Sequence, residues 1–271
     1  CKHVDPTDLY TIEPFVRLCI LDKIDRKDYS NFVSQYCKFP AYSPKEIRKM
    51  AKEHNIGNKL DVAIRLITVD VILRFEDGDL KLDQPKISQR VDGMSGKIRS
   101  IALESIMQQV IEHVVVGCME ELWCKKLCPH QYASIKGRGQ VSGAKKIQTW
   151  VKGDVTNCFG SFKHSIIMQF LERDIKKNKK LLWCVKELLK YHSSTGVGLL
   201  IGSLLSQFLC NYLLSYVYRY AETLYKVRRG KRIRLVLHVL FYMDDFLITG
   251  NDRRNLQIAM RKIEFYMMIS I

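Results

Sequence analysis

The chain has 271 residues, enough for one large or two small domains, and 47% of them are hydrophobic, as a packed core requires. Lysine and arginine total 44 against 28 acidic residues, a formal net charge of +16 that favours a polyanionic partner, nucleic acid before a membrane surface. The 9 cysteines follow no metal-finger pattern; Cys118, Cys124, Cys128 and His130 come closest, but their gaps do not fit a zinc site. They are read as reduced, mostly buried thiols of a cytoplasmic protein.

No secretory leader opens the chain. It begins at Cys1 and stops at Ile271 within an apolar stretch, so both ends are read as trimmed. Residues 1–75 predict several short helices, over Thr11–Leu21, Ser43–His54 and Lys59–Leu73, with prolines as punctuation and no chemistry of their own. Glu76-Asp77-Gly78-Asp79 and Asp92-Gly93-Met94-Ser95-Gly96 are turn signals. Lys97-Ile98-Arg99-Ser100-Ile101 alternates charged and apolar residues like a half-exposed strand. Lys97 and Arg99 would share one face, as a triphosphate clamp or as an ordinary solvated strand face. Glu104–Leu122 follows as an amphipathic helix.

Tyr132-Ala133-Ser134-Ile135-Lys136-Gly137-Arg138-Gly139-Gln140 carries glycine on both sides of Arg138, which lets the backbone approach a phosphate. A basic surface loop is the plainer reading. A short strand, Thr149–Lys152, leads to Asp154, then a turn and a helix over Lys163–Lys177. That strand is brief enough to suggest missing residues nearby. Leu181–Tyr191 is the next helix.

From Tyr191 to Tyr218 there is no charged side chain, and the length could span a bilayer. Gln207, Asn211, the serines and the glycines in its first half favour a buried helix instead. Gly196–Gln207 reads as a glycine-punctuated loop entering a helix that ends near Tyr225, and Lys226–Arg234 as a basic turn. Residues 235–249 then run apolar, acidic, apolar, as two short strands meeting at a tight turn with Asp244 and Asp245 at its tip. Adjacent like charges are unfavourable unless a cation neutralises them, and a hard divalent ion with oxygen ligands is the natural partner. An Asp-containing turn without an ion is the bland alternative. A helix over Arg253–Met268 closes the chain.

Tyr242-Met243-Asp244-Asp245 resembles the Tyr-x-Asp-Asp box of reverse transcriptases. The order of basic strand, basic glycine loop, Asp-turn-helix, glycine loop with helix, and Asp-Asp hairpin is similar to the fingers and palm of that family from Arg90 to Ile271. The resemblance implies an α+β fold. It comprises right-hand polymerase fingers and palm, an antiparallel palm sheet packed on helices, a helical N-terminal extension over 1–89, fingers over 90–150 and a palm over 151–271, with the thumb absent. It implies Asp154 and Asp244 as catalytic carboxylates with Asp245 beside them, Val155 as a metal-binding carbonyl, and two Mg²⁺ ions, with Mn²⁺ as a substitute. Phe159 matches the aromatic gate against a ribose 2′-hydroxyl. Lys97, Arg99, Lys136 and Arg138 match the fingers' nucleotide contacts, and Gln207 matches the residue that touches the template or the incoming pair. Expected partners are an RNA template, a DNA primer or product, dNTPs, and an accessory protein or non-coding RNA, with no membrane.

Within the family, Ile201-Gly202-Ser203-Leu204-Leu205-Ser206-Gln207 resembles the Ile-Gly-x-x-x-Ser-Gln form of diversity-generating retroelements. So does Ser134-Ile135-Lys136-Gly137-Arg138-Gly139. Leu200 stands where Pro is usual, and Gly160 where Asp commonly follows the gate. The N-terminal extension looks more like unassigned prokaryotic reverse transcriptases, some of them antiphage; group II intron and retron types stand further off. Two other readings share the motifs: an untemplated or protein-primed DNA polymerase in a defence complex, and a catalytically silent nucleic-acid-binding scaffold.

Overall fold

The computed structural model describes residues 1–271 except 2, 38–42, 54–58, 92–95, 97, 136–137, 139–150, 155–156 and 271. The chain divides into two compact units: the first holds 1–121, 172–192 and 201–205, the second 122–171, 193–200 and 206–271.

In the first unit, α1 (Leu9–Asp22) packs on α4 (Lys59–Asp77) and on α5 (Ile106–Cys118), while α2 (Tyr29–Cys37) and α3 (Pro44–Glu53) pack on α4. The core is aliphatic and fully buried: Ile12, Val16 and Ile20 of α1, Ile64, Ile67 and Val71 of α4, and Val110, Ile111 and Val114 of α5. Each helix shows its apolar stripe at helical spacing. Local signals start the helices. The Asp8 carboxylate accepts from the Thr11 N–H at 2.8 Å. Ser105 and Gln108 form a reciprocal capping box at the start of α5. Opposite its buried side, α4 leaves Val62, Leu66, Val69 and Leu73 exposed in one row.

Two strands of this unit, β1 (Lys86–Val91) and β2 (Ile98–Leu103), form an antiparallel ribbon in which Arg90 faces Arg99. β2 was expected from alternation; β1 and α2 lie outside the expected elements. Of the turn expected at 92–96, Gly96 alone belongs to the described residues. The unit also takes in α9 (Lys179–His192), which packs on α5. Asn178 caps α9 by accepting from the Leu181 N–H at 3.1 Å, and its amide donates to the carbonyls of Cys1 and Val4 at 2.8 and 2.6 Å.

The second unit is built on a three-stranded antiparallel sheet of order β3-β7-β6, where β3 is Val151–Asp154, β6 His238–Tyr242 and β7 Asp245–Thr249. Its buried face carries Val239, Phe241, Phe246 and Ile248, and the rings of Phe241 and Phe246 stack at 5.3 Å. The one-turn helix α7 (Cys158–Ser161) follows β3, and α8 (His164–Ile175) follows it. The long helix α10 (Leu204–Thr223) is buried almost all round, as its uncharged sequence predicts. Among the described residues no helix is long and apolar enough to cross a membrane. The segment read as a basic turn is a hairpin, β4 (Tyr225–Arg228) against β5 (Lys231–Arg234), turning at Arg229 and Gly230 with positive φ. The helix α11 (Arg253–Ser270) ends the unit, with Tyr266 stacked 4.1 Å from Tyr220 of α10. α6 (Glu120–Lys126) falls at the division between the units.

Gly153 of β3 is the position where the sheet has no room. A Cβ there would lie 2.4 Å from Phe246 Cζ and 2.9 Å from Met260 Cε. Gly153→Val should destabilise the fold by about 1–3 kcal/mol through overpacking, read as a lower midpoint of thermal or urea unfolding. An unchanged midpoint would show that Phe246 and Met260 yield freely.

Candidate active site

The acidic hairpin is set by packing behind it. Pairing Phe241 with Phe246 and Val239 with Ile248 on the buried face forces Tyr242 opposite Asp245 and leaves Met243-Asp244 as the turn. The tip is therefore Met243-Asp244, and Asp245 is the first residue of β7 rather than part of the tip. Met243 sits at φ 53°, in the left-handed region that side chains other than glycine rarely adopt. The other edge of β6 is also covered: Phe241 N–H donates to the His130 carbonyl at 2.9 Å, and Tyr132 N–H donates to the Phe241 carbonyl at 3.0 Å.

β3 supplies the third acidic residue. In the β3–β7 ladder Asp154 is the direct partner of Asp245. Paired Cα atoms of antiparallel strands lie about 4.5–5.5 Å apart. Residues 91 positions apart in sequence are thus adjacent at one end of the sheet. Asp244 and Asp245 are partly exposed, and Lys152 Nζ lies 2.7 Å from Asp245 Oδ1. That ammonium is a monovalent counter-ion already seated on the Asp245 carboxylate. The donor set, oxygen only and anionic, suits a hard divalent cation.

Phe159 lies partly buried in α7, after Asn157 at φ 51°. Its carbonyl accepts from the Leu199 N–H at 2.7 Å, and Gly198 N–H donates to the Phe162 carbonyl at 2.8 Å. The His164 ring adds a contact to the Gly198 carbonyl at 2.7 Å. The glycine loop after residue 193 is thereby stitched to the Phe159 segment. The same packing explains an oddity of sequence: a Cβ at Gly160 would fall 2.5 Å from the Asn157 amide, so Asn157 fills the space that a side chain at 160 would need.

A family model for reverse transcriptase (RNA-dependent DNA polymerase) matches residues 84–267. The chain belongs to the reverse transcriptase family. It is an RNA-directed DNA polymerase, a nucleotidyltransferase, whose activity implies a nucleic acid template and dNTP substrates. Reverse transcriptases use divalent metal ions, and the carboxylate end of the β3-β7-β6 sheet offers oxygen donors of that kind. Comparison with curated proteins gives no match.

The other expected residues of this reverse transcriptase fall in different places. Arg99 is exposed on β2 in the first unit, and Gln207 is half-buried in the first turns of α10. Arg138 has a use the sequence did not suggest. Its Nη1 donates to the carbonyls of Cys128, Pro129 and Gln131 at 2.8, 3.2 and 3.1 Å, bracing the segment that covers β6. Lys97, Lys136 and Val155 lie outside the described residues, as do the glycines flanking Arg138. Lys152 was missed as a site residue. The available signal was its position two before Asp154 in a short strand, which sets both on one face.

If the Lys152 ammonium occupies part of a cation site, Lys152→Gln should lower the dissociation constant for Mn²⁺ roughly two- to fivefold, the weight of a partly exposed ion pair. Calorimetry or paramagnetic broadening reads this directly. An unchanged or weaker affinity would remove Lys152 from the site.

Proposed function

We propose that this protein extends a DNA primer on an RNA template by in-line nucleotidyl transfer at the carboxylate end of the β3-β7-β6 sheet. The observation that carries the reading is the ladder register, which sets Asp154 against Asp245 and beside Asp244. Asp154, the Val155 carbonyl, Asp244 and Asp245 would hold two divalent ions, Mg²⁺ or Mn²⁺. Such ions, when bound, supply Lewis acidity toward a primer hydroxyl and a triphosphate. The chain's own task is positioning. A rigid sheet end holds the acidic groups in place before substrate arrives, which removes reorganisation from the reaction.

Phe159 is the proposed gate against a ribose 2′-hydroxyl, and its fixed backbone, bonded to Leu199, supports that role. Lys97, Arg99, Lys136 and Arg138 supply positive charge toward the triphosphate. The opposed Arg90 and Arg99 of the ribbon favour an anion there, since like charges facing each other on a sheet are otherwise unfavourable. Gln207 would meet the template base or the incoming pair. In this reading 90–150 form fingers, 151–271 a palm, and 1–89 a helical N-terminal layer. The biological setting we propose is diversity generation or antiphage defence. The Ile-Gly-x-x-x-Ser-Gln run supports the former and the N-terminal layer the latter. Neighbouring genes would separate them: a variable-protein gene with a template repeat, or a cluster of antiphage genes.

With primed RNA, dNTPs and Mg²⁺, templated extension is expected, and Asp244→Asn should reduce it by about 10²-fold or more. Incorporation insensitive to Asp244→Asn would sink the site, and product formed without template would redirect the reading to untemplated synthesis. Phe159→Ala should reduce discrimination against ribonucleotides about tenfold; an unchanged sugar preference would refute the gate. Affinity for primed RNA should fall steadily with rising salt, as counterion release requires.

A further inference from the structure

A second polar cluster lies wholly within the first unit. Glu104, Glu112, His192 and Ser203 are all buried, the two carboxylates at 2% and 1% exposure. Glu112 sits in the apolar stripe of α5 and accepts from three donors of another segment. Ser203 Oγ donates to its Oε1 at 2.6 Å, and the N–H groups of Leu204 and Leu205 donate to its Oε2 at 2.8 and 3.2 Å. His192 Nε2 lies 3.4 Å from Oε1. Leu204 and Leu205 open α10, so Glu112 supplies the cap that this helix start needs from outside. The residue just ahead, Gly202, is pinned as well. It has φ 108°, a Cβ on it would lie 3.0 Å from the Ala102 carbonyl, and the neighbouring Ile201 carbonyl accepts from Ala102 N–H at 2.9 Å.

Glu104 completes the cluster. Its two carboxyl oxygens are buried without a hydrogen-bond partner, while donor atoms of Glu104, Glu112 and His192 all lie within 4.8 Å of one another. A cation among them is a poor fit, because both oxygens of Glu112 already face N–H and O–H donors at the positive end of a helix. A proton carried by Glu104 fits better. Burial and, after it, the charge of nearby Glu112 push the Glu104 carboxyl up to about 9. Burial opposes charge on Glu112 too, but His192, Ser203 and the Leu205 N–H outweigh it and hold Glu112 ionised. Glu104 is then a neutral acid standing beside an anionic cap.

We propose that Glu112, with Glu104 as its proton-bearing neighbour, is a positioning residue of the polymerase: it fixes the Gly202–Ser203 turn and the first turn of α10, and so sets Gln207 on the same helix. This rests on the role given to Gln207 above. Around the pair stand Cys19 of α1, Arg26, whose guanidinium holds the Glu104 carbonyl at 3.1 Å, Asp83 before β1, His113 of α5, and Tyr191 and His192 of α9. Because the Glu104 proton is held in the folded protein but lost above about 4.5 from an unfolded chain, stability should decline from there toward pH 9 and level off above it, while nucleotide affinity, a property of the folded chain, should fall as pH rises through about 9.

The test uses the full chain as wild type, Glu112→Gln, Glu104→Gln and Asp244→Asn, in templated extension and in amide hydrogen exchange. Glu112→Gln should raise KM for dNTP about tenfold or more with kcat less affected, and should speed exchange at Leu204 and Leu205 but not at Ile64–Val71. Glu104→Gln, an amide that can still donate, should keep the neutral-pH KM and flatten the alkaline decline. An unchanged KM and unchanged exchange at Leu204 and Leu205 in Glu112→Gln overturn the proposal, as does uniformly faster exchange with KM intact. Should Glu112→Gln fail to fold, the Glu104→Gln profile decides, and an alkaline decline as steep as wild type overturns it. Wild-type incorporation indifferent to Asp244→Asn is a failure of the polymerase site; the exchange result at Leu204 and Leu205 still judges the cap by itself.

Discussion

The ladder between β3 and β7 compels two acidic residues to face each other, with a third one position away. Left to themselves they would separate. Two exposed unit charges 4 Å apart in water repel by about 1 kcal/mol. Against this, each large apolar side chain on the other face gains about 1.5–3 kcal/mol by leaving water, and Val239, Phe241, Phe246 and Ile248 all do so. A slip of one strand by one residue would turn its pair outward, Val239 with Phe241 or Phe246 with Ile248, so the register that sets Asp154 opposite Asp245 is the register that burial selects. The site is acidic because the back of the sheet is greasy.

This also reconciles two signs of charge. A chain of net charge +16 attracts phosphate backbones as a whole. The hairpin end of the sheet is a local exception that would repel the same phosphates. Lys152 offsets one carboxylate there, and divalent cations would offset the rest. Attraction at long range and selective neutralisation at short range are then separate tasks given to separate residues.

The hairpin was legible because a period of two on each side of an Asp-Asp turn has few other meanings. The exact tip was not, since the choice between Asp244 and Asp245 depends on which aromatic residues pair, and Phe241 finds Phe246 only across the turn. The charge of the stretch from Lys226 to Arg234 hid a ribbon whose two strands pair Lys226 with Ile233 and Val227 with Arg232 about the positive-φ turn at Arg229 and Gly230. The bracing role of Arg138 was not legible, because nothing local shows that the carbonyls of Cys128, Pro129 and Gln131 gather around its Nη1. Gly160 was visible as a departure from the family pattern, but the Asn157 side chain that excludes a Cβ there could be seen only in three dimensions. Glu112 left the faintest trace, a carboxylate within an apolar stripe. Its partners at Ser203, Leu204 and Leu205 lie far along the chain, and no helical period announces a cap supplied from elsewhere.

The exposed row Val62, Leu66, Val69 and Leu73 on α4 has a colloidal consequence. Water gains by covering such a hydrocarbon strip, while the strong positive charge of the chain drives copies apart. The Debye length shrinks from about 30 Å at 0.01 M to about 3 Å at 1 M ionic strength. At low salt, repulsion reaches further than the strip and the molecules stay dispersed. At high salt that protection vanishes and the strip is strengthened, so the conditions that weaken the grip on nucleic acid are the conditions in which this chain turns to its own kind.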